Sequence, residues 1–506
     1  MSAQDARTYG AMRTGVAAMT LVTAVAVVTL GPNHPAGRVP SEDAGVFFYS
    51  ARELLAGGTP YRDVWDHKPP LVYAIDAVGL AVAGPVGVWL LQIVALAAAA
   101  WLSLALLRRH VGLLAATIGT VAWLLAAPRL FLTDGQQTSY VELFVIPLQL
   151  AALALADRAA PRWRGMLLLG ALGAAALLLK PTLVGTWVAI ALVMLWSGRR
   201  AALVPLAGMI AGGAAVLAAA AIFFASRGAL GDLVDQAFRY NLAYASFTPP
   251  LSRLGAIPEG LRLLSPSGLA LGALAAWLYA VVSRPALPRL VAFVVVALPI
   301  EMLLATSGRA YHYYFLPWLP AMGVLAAFAS AEVLRHLERR RALAVLAAAL
   351  VLMSIQPVRL VWRLAMVGDD GSARAAAALV RERTAADDLV LVWGSHTEIL
   401  VLAERRSPTR FVFQYAPLAT RGYANAAAID ALVTDLERRP PALIVDTSRT
   451  SFVTPPLDRD GLRAFRSPEP QYSWPAETER VIAFVEAGYT RDGTVPGTEW
   501  TVWRRR

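Results

Sequence analysis

Two lysines stand out because every other basic residue among the 46 lysines and arginines of this chain is an arginine. Lys68 and Lys180 are each followed directly by proline. A lysine ammonium is a compact point charge on a flexible stem, whereas an arginine guanidinium is a flat and permanently charged fork. The pattern therefore suggests two positions that require a small cation. The alternative is that codon usage has left two lysines without a functional meaning.

The most polar stretch of the chain surrounds Lys68. Residues 41–73 combine aromatic and basic side chains with five carboxylates, which are Glu42, Asp43, Glu53, Asp63 and Asp66. We predict an amphipathic helix that opens at Arg52-Glu53 and ends at Gly57-Gly58, followed by a rigid turn. Ionised groups near the membrane headgroups are costly unless they are paired or take part in function. The segment therefore predicts a functional site; the alternative is a solvated loop with ordinary salt bridges.

The elements that must position these residues are membrane helices. Of the 506 residues, 57% are hydrophobic and 16% are charged. We predict a polytopic α-helical membrane protein with about 11 transmembrane helices. The first apolar run is too long for a cleaved signal peptide, so we expect an uncleaved first span. The predicted spans are residues 15–33, 83–107, 111–128, 140–156, 165–179, 182–197, 203–225, 266–283, 288–306, 313–331 and 342–357.

Short arginine clusters between these spans predict which loops are cytoplasmic. The net charge of +11 lies largely in such clusters, so it does not indicate nucleic-acid binding. The N-terminus is then cytoplasmic and the C-terminus is outside, and the heavy use of alanine and arginine suggests the plasma (inner) membrane of a GC-rich bacterium. The opposite loops hold nearly all the unusual polar residues, which predicts one extracytoplasmic active site: Glu42, Asp43, Asp63, Asp66, His67, Lys68, Asp134, Lys180, Tyr240, Asn241, Arg309 and His312.

The pattern changes after residue 357. We therefore divide the chain into a transmembrane domain, residues 1–357 with a long first loop at 34–82, and an extracytoplasmic domain, residues 358–506. In the second domain, helical stretches (372–384, 424–438 and 476–488) alternate with strand-like runs (389–393, 410–413, 442–445 and 499–504). This alternation predicts a small α/β domain with a mainly parallel sheet. The absence of cysteine excludes disulfides, thiolate catalysis and Cys-ligated metals.

The first loop resembles that of GT-C-type glycosyltransferases, in the branch of protein O-mannosyltransferases and lipid A aminoarabinose transferases. The resemblance is carried by Asp43-x-Gly45-x-Phe47-x-Tyr49, Gly58-Thr-Pro-Tyr61-x-Asp63 and His67-Lys-Pro-Pro70. Supporting motifs are Tyr240-Asn241-x-x-Tyr244, Gly308-Arg309-x-Tyr311-His312-Tyr313-Tyr314 and Asp388-Leu-Val-Leu-Val-Trp393-Gly394. The resemblance implies a GT-C-like fold and an inverting enzyme that moves a sugar from a polyprenyl-phosphate carrier to an acceptor hydroxyl.

The same resemblance implies roles for individual residues. Asp43 is the expected general base, and Glu42 beside it shares or replaces that role. Cations are expected to stabilise the leaving phosphate, and the candidates are Lys68, Arg309, His312 and Lys180. The expected substrate contacts are Tyr61, Asp63, Asp66, His67, Tyr240, Asn241, Tyr311 and Glu142. The acceptor is a lipid, a glycan or a protein.

Several alternatives remain at this point. No cofactor is expected, although Asp66 and His67 with His312 offer ligands for a divalent metal. Asp134 caps a helix or binds the acceptor, and Glu301 is either paired inside the bundle or functional. A transporter or lipid flippase is the main competing function and requires charges along a path through the helices. A third option is an assembly protein whose working part is the outer domain.

Overall fold

The computed structural model describes residues 3–131, 138–158, 163–247, 249, 252–283, 287–304, 309–366 and 371–506. Asp134 and Gly308 lie outside the described residues, so the two readings of Asp134 stay open. The chain forms a bundle of apolar helices followed by a smaller domain with a sheet. The bundle helices are α1 (Ala3–Leu30), α2 (Glu42–Leu55), α3 (Leu71–Phe131), α4 (Val141–Ala156), α5 (Trp163–Leu179), α6 (Gly185–Gly198), α7 (Leu203–Ser226), α8 (Leu230–Val234), α9 (Tyr240–Ser246), α10 (Ala256–Leu264), α11 (Leu269–Ser283), α12 (Arg289–Leu304), α13 (Leu319–His336) and α14 (Arg339–Met366).

The bundle is that of a multi-pass membrane protein. Among the described residues, 5 helical stretches are long and apolar enough to cross a bilayer, or 6 if the bent pair α10–α11 forms one span. Shorter apolar helices, α4 and α5 among them, add to the bundle. The expected count of about 11 spans is therefore not confirmed, although a helix lies at each predicted span.

Helix α3 contains two of the predicted spans in one run of 61 residues. A straight helix of that length would measure about 90 Å, three times the hydrocarbon thickness of a bilayer. The helix breaks at Ala83-Gly84 and again at Gly112, where the glycines adopt φ values of 60° and 77°. Those left-handed conformations suit glycine and turn α3 into three rods. The middle and last rods match predicted spans 83–107 and 111–128, and α3 packs against α1, α4 and α13.

Helix α2 begins ten residues before the predicted start at Arg52. Ser41 is its N-cap, and the Ser41 hydroxyl accepts a hydrogen bond from the backbone N–H of Ala44 at 3.3 Å. The chain leaves the helix at Gly57, whose φ of 88° allows the turn. Glu42 and Asp43 consequently occupy the first turn of α2, where the helix dipole favours carboxylates.

The second domain holds helices around a sheet of mixed direction. Its helices are α15 (Ser372–Arg383), α16 (Glu398–Ala403), α17 (Tyr415–Ala419), α18 (Ala426–Arg438), α19 (Arg459–Ala464) and α20 (Glu479–Gly488). Its strands are β1 (Val390–Trp393), β2 (Leu443–Asp446), β3 (Tyr489–Thr494) and β4 (Thr501–Arg505), in the order β1-β2-β4-β3. Only β1 and β2 pair in parallel, and β4 runs antiparallel to β2 and β3.

Two expectations for this domain are wrong. The sheet is not mainly parallel, because the chain ends in a β3–β4 hairpin whose second strand inserts beside β2. The run 410–413 is not a strand of this sheet. Its first residue, Arg410, instead accepts a hydrogen bond at its carbonyl from the backbone N–H of Trp65 in the first loop, at 2.8 Å.

The first loop and the second domain pack directly together. Gly45 of α2 lies so close to α16 that a Cβ atom would sit 2.5 Å from the backbone nitrogen of Glu398. The Tyr49 hydroxyl accepts a hydrogen bond from the Ser407 N–H at 2.8 Å, and Arg406 donates to Glu53 Oε1 at 2.9 Å. Helix α14 continues through residue 357 to Met366, so the predicted domain boundary falls inside a helix.

Candidate active site

A cavity of about 300 Å³ lies where the helical bundle meets the second domain, and we call it the central cavity. Both parts of the chain form its wall. The bundle contributes Glu42, Asp43, His67, Lys68, Pro69, Lys180, Pro181, Tyr240, Asn241, Tyr244, Tyr311, Tyr313 and Tyr314. The second domain contributes Ser395, His396, Tyr415, Thr450, Ser451, Phe452, Val453, Glu469, Gln471 and Tyr472. Eight of the residues predicted for the site therefore surround one space: Glu42, Asp43, His67, Lys68, Lys180, Tyr240, Asn241 and Tyr311.

Asp43 presents a partly exposed carboxylate to the central cavity. Its Oδ2 atom accepts a hydrogen bond from the Tyr313 hydroxyl at 3.4 Å. One weak hydrogen bond leaves lone pairs on the carboxylate that a proton donor in the cavity can reach. The position in the first turn of α2 fixes the backbone behind the carboxylate, so the geometry suits a group that takes a proton from a bound hydroxyl.

Glu42 is linked to the second domain through His396. The Nε2 atom of His396 lies 3.5 Å from Glu42 Oε1, and its Nδ1 atom lies 2.7 Å from Glu398 Oε1. The Glu42 side chain is 52% exposed, but it faces the recessed cavity rather than open solvent. Burial therefore raises the pKa of Glu42 above its ordinary value, an effect that His396 opposes and the charge of Glu398 reinforces.

His396 is a site residue that sequence reasoning missed. It follows strand β1 directly, in the segment Gly394-Ser395-His396. Ligand sites in sheets with parallel strands lie outside the carboxyl ends of those strands. That placement is a usable signal, because the sequence predicts the strand 389–393 and polar residues follow it directly.

We expect the substitution His396→Gln to change the pH dependence of activity. Because His396 lowers the raised pKa of Glu42, its loss lets Glu42 hold its proton up to a higher pH. If ionised Glu42 takes part in the reaction, the acid limb of the pH profile of kcat/KM moves to higher pH in the variant. An acid limb that stays where it is would show that the ionisation of Glu42 does not limit the rate.

Lys68 is held at the cavity by the turn that precedes α3. Its Nζ atom lies 2.8 Å from His67 Nε2, and its carbonyl accepts hydrogen bonds from the hydroxyls of Tyr61 at 2.8 Å and Tyr73 at 3.0 Å. Burial and the charge of Lys68 lower the pKa of His67, so a neutral imidazole accepts the ammonium hydrogen bond. Among the described residues, Lys68 forms no ion pair with a carboxylate. Its charge is therefore available to a ligand.

Tyr61 and Asp66 support this turn, and neither lines the central cavity, so their contact with substrate stays a prediction. Tyr61 is fully buried, with φ of 72°. Asp66 is also buried and accepts hydrogen bonds from the His67 N–H and the Tyr73 hydroxyl, each at 2.7 Å. Both side chains are occupied within the protein, so their structural role is to position Lys68 and His67.

Lys180 enters the cavity wall from the corner between α5 and α6. Its Nζ atom lies 2.8 Å from Glu142 Oε1 and 3.2 Å from the centre of the Tyr314 ring. Glu142 was expected to contact substrate, but it lies behind Lys180 and outside the cavity wall. The side chain of Glu142 is only 4% exposed, so the pair is a buried ion pair. The two lysines thus differ: Lys68 forms no ion pair with a carboxylate of the described residues, whereas Lys180 is already paired.

We expect Lys180→Ala to lower the free energy of unfolding by about 3–5 kcal/mol, because it leaves the Glu142 carboxylate buried without its partner. The double variant Lys180→Ala/Glu142→Ala removes both charges and is expected to recover most of that loss. Thermal unfolding of the purified variants measures both effects, with Lys68→Ala as the matched control that breaks no carboxylate pair. Additive losses in the double variant would contradict this account of the pair.

Three further predicted residues lie around the cavity. Asn241 lines it and donates to the His67 carbonyl at 2.7 Å, which ties α9 to the first loop. Tyr240 packs edge-on against Trp65, with 5.2 Å between ring centres. Arg309 is not in the wall itself. It pairs with Glu469 at 3.3 Å, and its guanidinium lies 5.0 Å from the centre of the Tyr244 ring, so it lies directly behind two wall residues.

Two predicted residues lie elsewhere. Asp63 pairs with Arg62 at 2.8 Å and accepts a hydrogen bond from the Thr59 N–H at 2.7 Å, on a separate outer face of the first loop. His312 does not line the central cavity. The metal alternative places His67 and His312 at one site. The central cavity is lined by His67 and not by His312. Among the described residues, no group of three or more metal-ligating side chains is found.

Glu301 is buried inside the bundle and is hydrogen-bonded through one of its two carboxylate oxygens, while its Oε2 atom has no hydrogen-bond partner among the described residues. Its Oε1 atom accepts hydrogen bonds from Gln149 at 2.9 Å and from the N–H and hydroxyl of Thr186 at 2.6 and 2.8 Å. These contacts tie α12 to α4 and α6.

Another groove, of about 980 Å³, lies where α6 ends and α7 and α12 begin. Its described lining is largely apolar, includes Trp196 and Arg289, and contains no carboxylate.

The described chain forms an apolar helical bundle and a small domain with a sheet, with a polar cavity between them, and this arrangement is similar to the fold of a solved GT-C glycosyltransferase. The chain is similar to ArnT of Cupriavidus metallidurans bound to undecaprenyl phosphate, with a TM-score of 0.60 and 14% identity over 87% of this chain and 94% of ArnT. At that identity the likeness establishes the fold. The resemblance inferred from the first loop is thereby confirmed at the level of the fold.

Two further similar structures have TM-scores below 0.5. The apo state of the same ArnT has a TM-score of 0.47 at 16% identity, over 87% of this chain and 94% of ArnT. An oligosaccharyltransferase of Archaeoglobus fulgidus, in complex with zinc and sulfate, has a TM-score of 0.49 at 13% identity, over 85% of this chain and 67% of its own. No protein-family model and no curated protein matches the sequence.

Proposed function

We propose that the chain is an inverting glycosyltransferase that moves a sugar from a polyprenyl-phosphate carrier to an acceptor hydroxyl. The observation that carries the proposal is the central cavity, where the Asp43 carboxylate and the Lys68 ammonium line one space between apolar helices and an outer domain. A lipid-linked donor fits that position, since its polyprenyl chain requires apolar surroundings and its phosphate requires a cation. The ArnT structure with a similar fold holds undecaprenyl phosphate.

The reaction follows from the two charged groups. The acceptor hydroxyl oxygen attacks the anomeric carbon, and the bond from that carbon to the phosphate oxygen breaks on the opposite face, which inverts the configuration. Asp43 accepts the hydroxyl proton. The departing polyprenyl phosphate takes the bonding electrons, and Lys68 stabilises the charge that develops on its oxygen. Lys180 in the cavity wall and Arg309 behind it add positive potential. The carboxylate partner of each of these cations reduces that contribution.

The proposed site faces the extracytoplasmic side of a bacterial plasma membrane, with the N-terminus in the cytoplasm. This orientation rests on the arginine clusters of the opposite loops. The competing function, a transporter or lipid flippase, is not favoured. It requires charged groups along a path through the helices, whereas the acidic residues and lysines that line the central cavity lie together where the bundle meets the outer domain, and Glu301 accepts hydrogen bonds from Thr186 and Gln149.

The experiment that tests the proposal incubates the purified chain with a panel of polyprenyl-phosphate sugars and extracts of cell-envelope acceptors. Mass spectrometry then follows release of the polyprenyl phosphate and transfer of the sugar. We expect turnover of at least one donor, with a product of inverted anomeric configuration. Movement of lipid across a proteoliposome membrane without any cleavage of the sugar–phosphate bond would instead support the flippase.

A further inference from the structure

A second polar cavity, of about 420 Å³, lies in the outer domain around the segment that links α19 to α20. We call it the arginine cavity. Its size falls in the range of about 300–1,000 Å³ that is usual for small-molecule sites. Two kinds of side chain dominate its wall, namely three arginines and three aromatic residues: Arg421, Arg463, Arg466, Phe465, Tyr472 and Trp474.

The positive charge of this cavity is largely uncompensated. Glu479 is the one carboxylate in the described wall, and its oxygen lies 4.0 Å from Arg463 Nε with both side chains more than half exposed. Such a pair contributes little. Within the described part of the chain, Arg466 donates only to backbone carbonyls, those of Arg463 at 2.8 Å and Phe465 at 2.7 Å. These arginines therefore create a field that attracts an anion.

Among the arginines of this wall, Arg421 is the one whose guanidinium is best able to bind a ligand. The structure records no hydrogen bond or ion pair of its guanidinium with any described residue. Its backbone is nevertheless held firmly, because the Arg421 N–H donates to the Gln471 carbonyl at 2.8 Å and Thr420 bridges to Tyr472. A guanidinium group binds a carboxylate or phosphate through two parallel hydrogen bonds.

The aromatic residues add flat apolar surface beside these cations. The ring of Trp474 is partly exposed in the wall, and its indole N–H is bonded to the Val453 carbonyl at 2.8 Å. With its polar edge satisfied inside the protein, the ring contributes carbon surface of the kind that packs on the C–H face of a sugar. A wall that pairs guanidinium groups with aromatic rings suits a saccharide that bears negative charge.

The arginine cavity adjoins the central cavity. Tyr472 belongs to the walls of both and is the partition between them. Its ring packs against that of Tyr415, which also lines the central cavity, with 5.3 Å between the ring centres. A saccharide held in the arginine cavity would thus lie one side chain away from the space that contains Asp43.

We propose that the arginine cavity binds an anionic saccharide, through carboxylate or phosphate groups, and that this saccharide is the acceptor of the transfer. The second half of the inference rests on the proposed function. The first half is a binding property of the outer domain and stands independently of any reaction. In this binding site Arg421 and Arg466 recognise the negative charge, and Trp474 contacts a sugar ring.

The test measures binding to the purified full-length chain by calorimetry, without donor. The probes are a galacturonate tetrasaccharide, glucose 6-phosphate and the uncharged maltotetraose. We expect the galacturonate or the sugar phosphate to bind at least about tenfold more tightly than maltotetraose, and to weaken as salt is raised. The two charged probes separate carboxylate from phosphate recognition. Equal affinity for charged and uncharged probes, or no binding of any probe, would overturn the proposal.

Variants locate the binding within the chain. The double variant Arg421→Gln/Arg466→Gln is expected to weaken binding of the charged probe about tenfold or more, since each charged hydrogen bond is strong but partly screened by solvent. Arg491→Gln is the matched control, because Arg491 is an exposed arginine of the same domain on strand β3 and outside this wall. Equal loss in both variants would refute the site. Binding without any sugar transfer would refute the proposed function alone.

Discussion

Replacing Asp43 by asparagine is expected to reduce kcat for sugar transfer by about 10²–10⁴-fold, which is the usual contribution of a positioned general base. Asparagine keeps the size of the side chain and can still accept the hydrogen bond from Tyr313. It cannot take a proton from the acceptor hydroxyl. The KM values for donor and acceptor should change much less than kcat, because the substitution removes an interaction of the transition state.

Asp63→Asn is the matched control for this experiment. Asp63 belongs to the same loop and the same motif, but its carboxylate pairs with Arg62 away from the central cavity. We expect Asp63→Asn to keep most of the activity of the folded protein. Full activity of Asp43→Asn, or equal losses in the two variants, would contradict the assignment of the base.

The second large effect is expected for Lys68→Ala, which should lower the rate of donor cleavage by about 10²–10³-fold. The Lys68 ammonium is the cation of the cavity wall that lacks a carboxylate partner among the described residues, so its full charge can act on the leaving phosphate. Steady-state kinetics with a polyprenyl-phosphate sugar measure this loss, and the size and fold of the protein are checked by gel filtration and thermal unfolding.

Lys68→Arg sharpens the same experiment. Arginine retains the positive charge but replaces the point charge with a wider fork, next to His67 Nε2 at 2.8 Å. We expect Lys68→Arg to recover only part of the activity, since the ammonium fits between the imidazole and the ligand. Wild-type activity of Lys68→Arg would show that the site does not require a lysine, so codon usage would explain why lysine is rare in the chain. Wild-type activity of Lys68→Ala would exclude Lys68 from the phosphate site.

The membrane part of the site could be predicted because charge in short loops decides the side of the membrane on which each loop lies. That rule brought Lys180 to the same face as Asp43 and Lys68 of the first loop, although Lys180 is far from them in sequence, and the structure places all three around one cavity. Apolar run length likewise located the helices. It did not show the sharp breaks of α3 at Ala83-Gly84 and Gly112, because those depend on how a few glycines turn the chain.

The contribution of the outer domain could not be predicted in the same way. His396 reaches Glu42 across more than 350 residues of sequence, and their contact depends on the docking of α2 against α16 at Gly45. Hydrophobic periodicity carries no information on such docking. The same limit explains the run 410–413, whose apolar residues resemble a strand but pack near the first loop.

Motif membership also did not separate residues that face a ligand from those that support them. Asp63 and Asp66 lie within one short polar segment, yet neither lines the central cavity. Their lone pairs are used by neighbouring N–H and O–H groups of the turn. Some polar side chains of a tight turn satisfy the backbone groups that no other partner reaches, and only the folded geometry shows which ones do so.

The most direct test of the central claim is a cryo-electron microscopy structure of the chain with a bound polyprenyl-phosphate sugar. The account predicts that the phosphate contacts Lys68 Nζ inside the central cavity, with the sugar beside Asp43 and the lipid leaving between apolar helices. A phosphate bound in the groove beside Trp196 and Arg289, or anywhere out of reach of both Lys68 and Asp43, would contradict it.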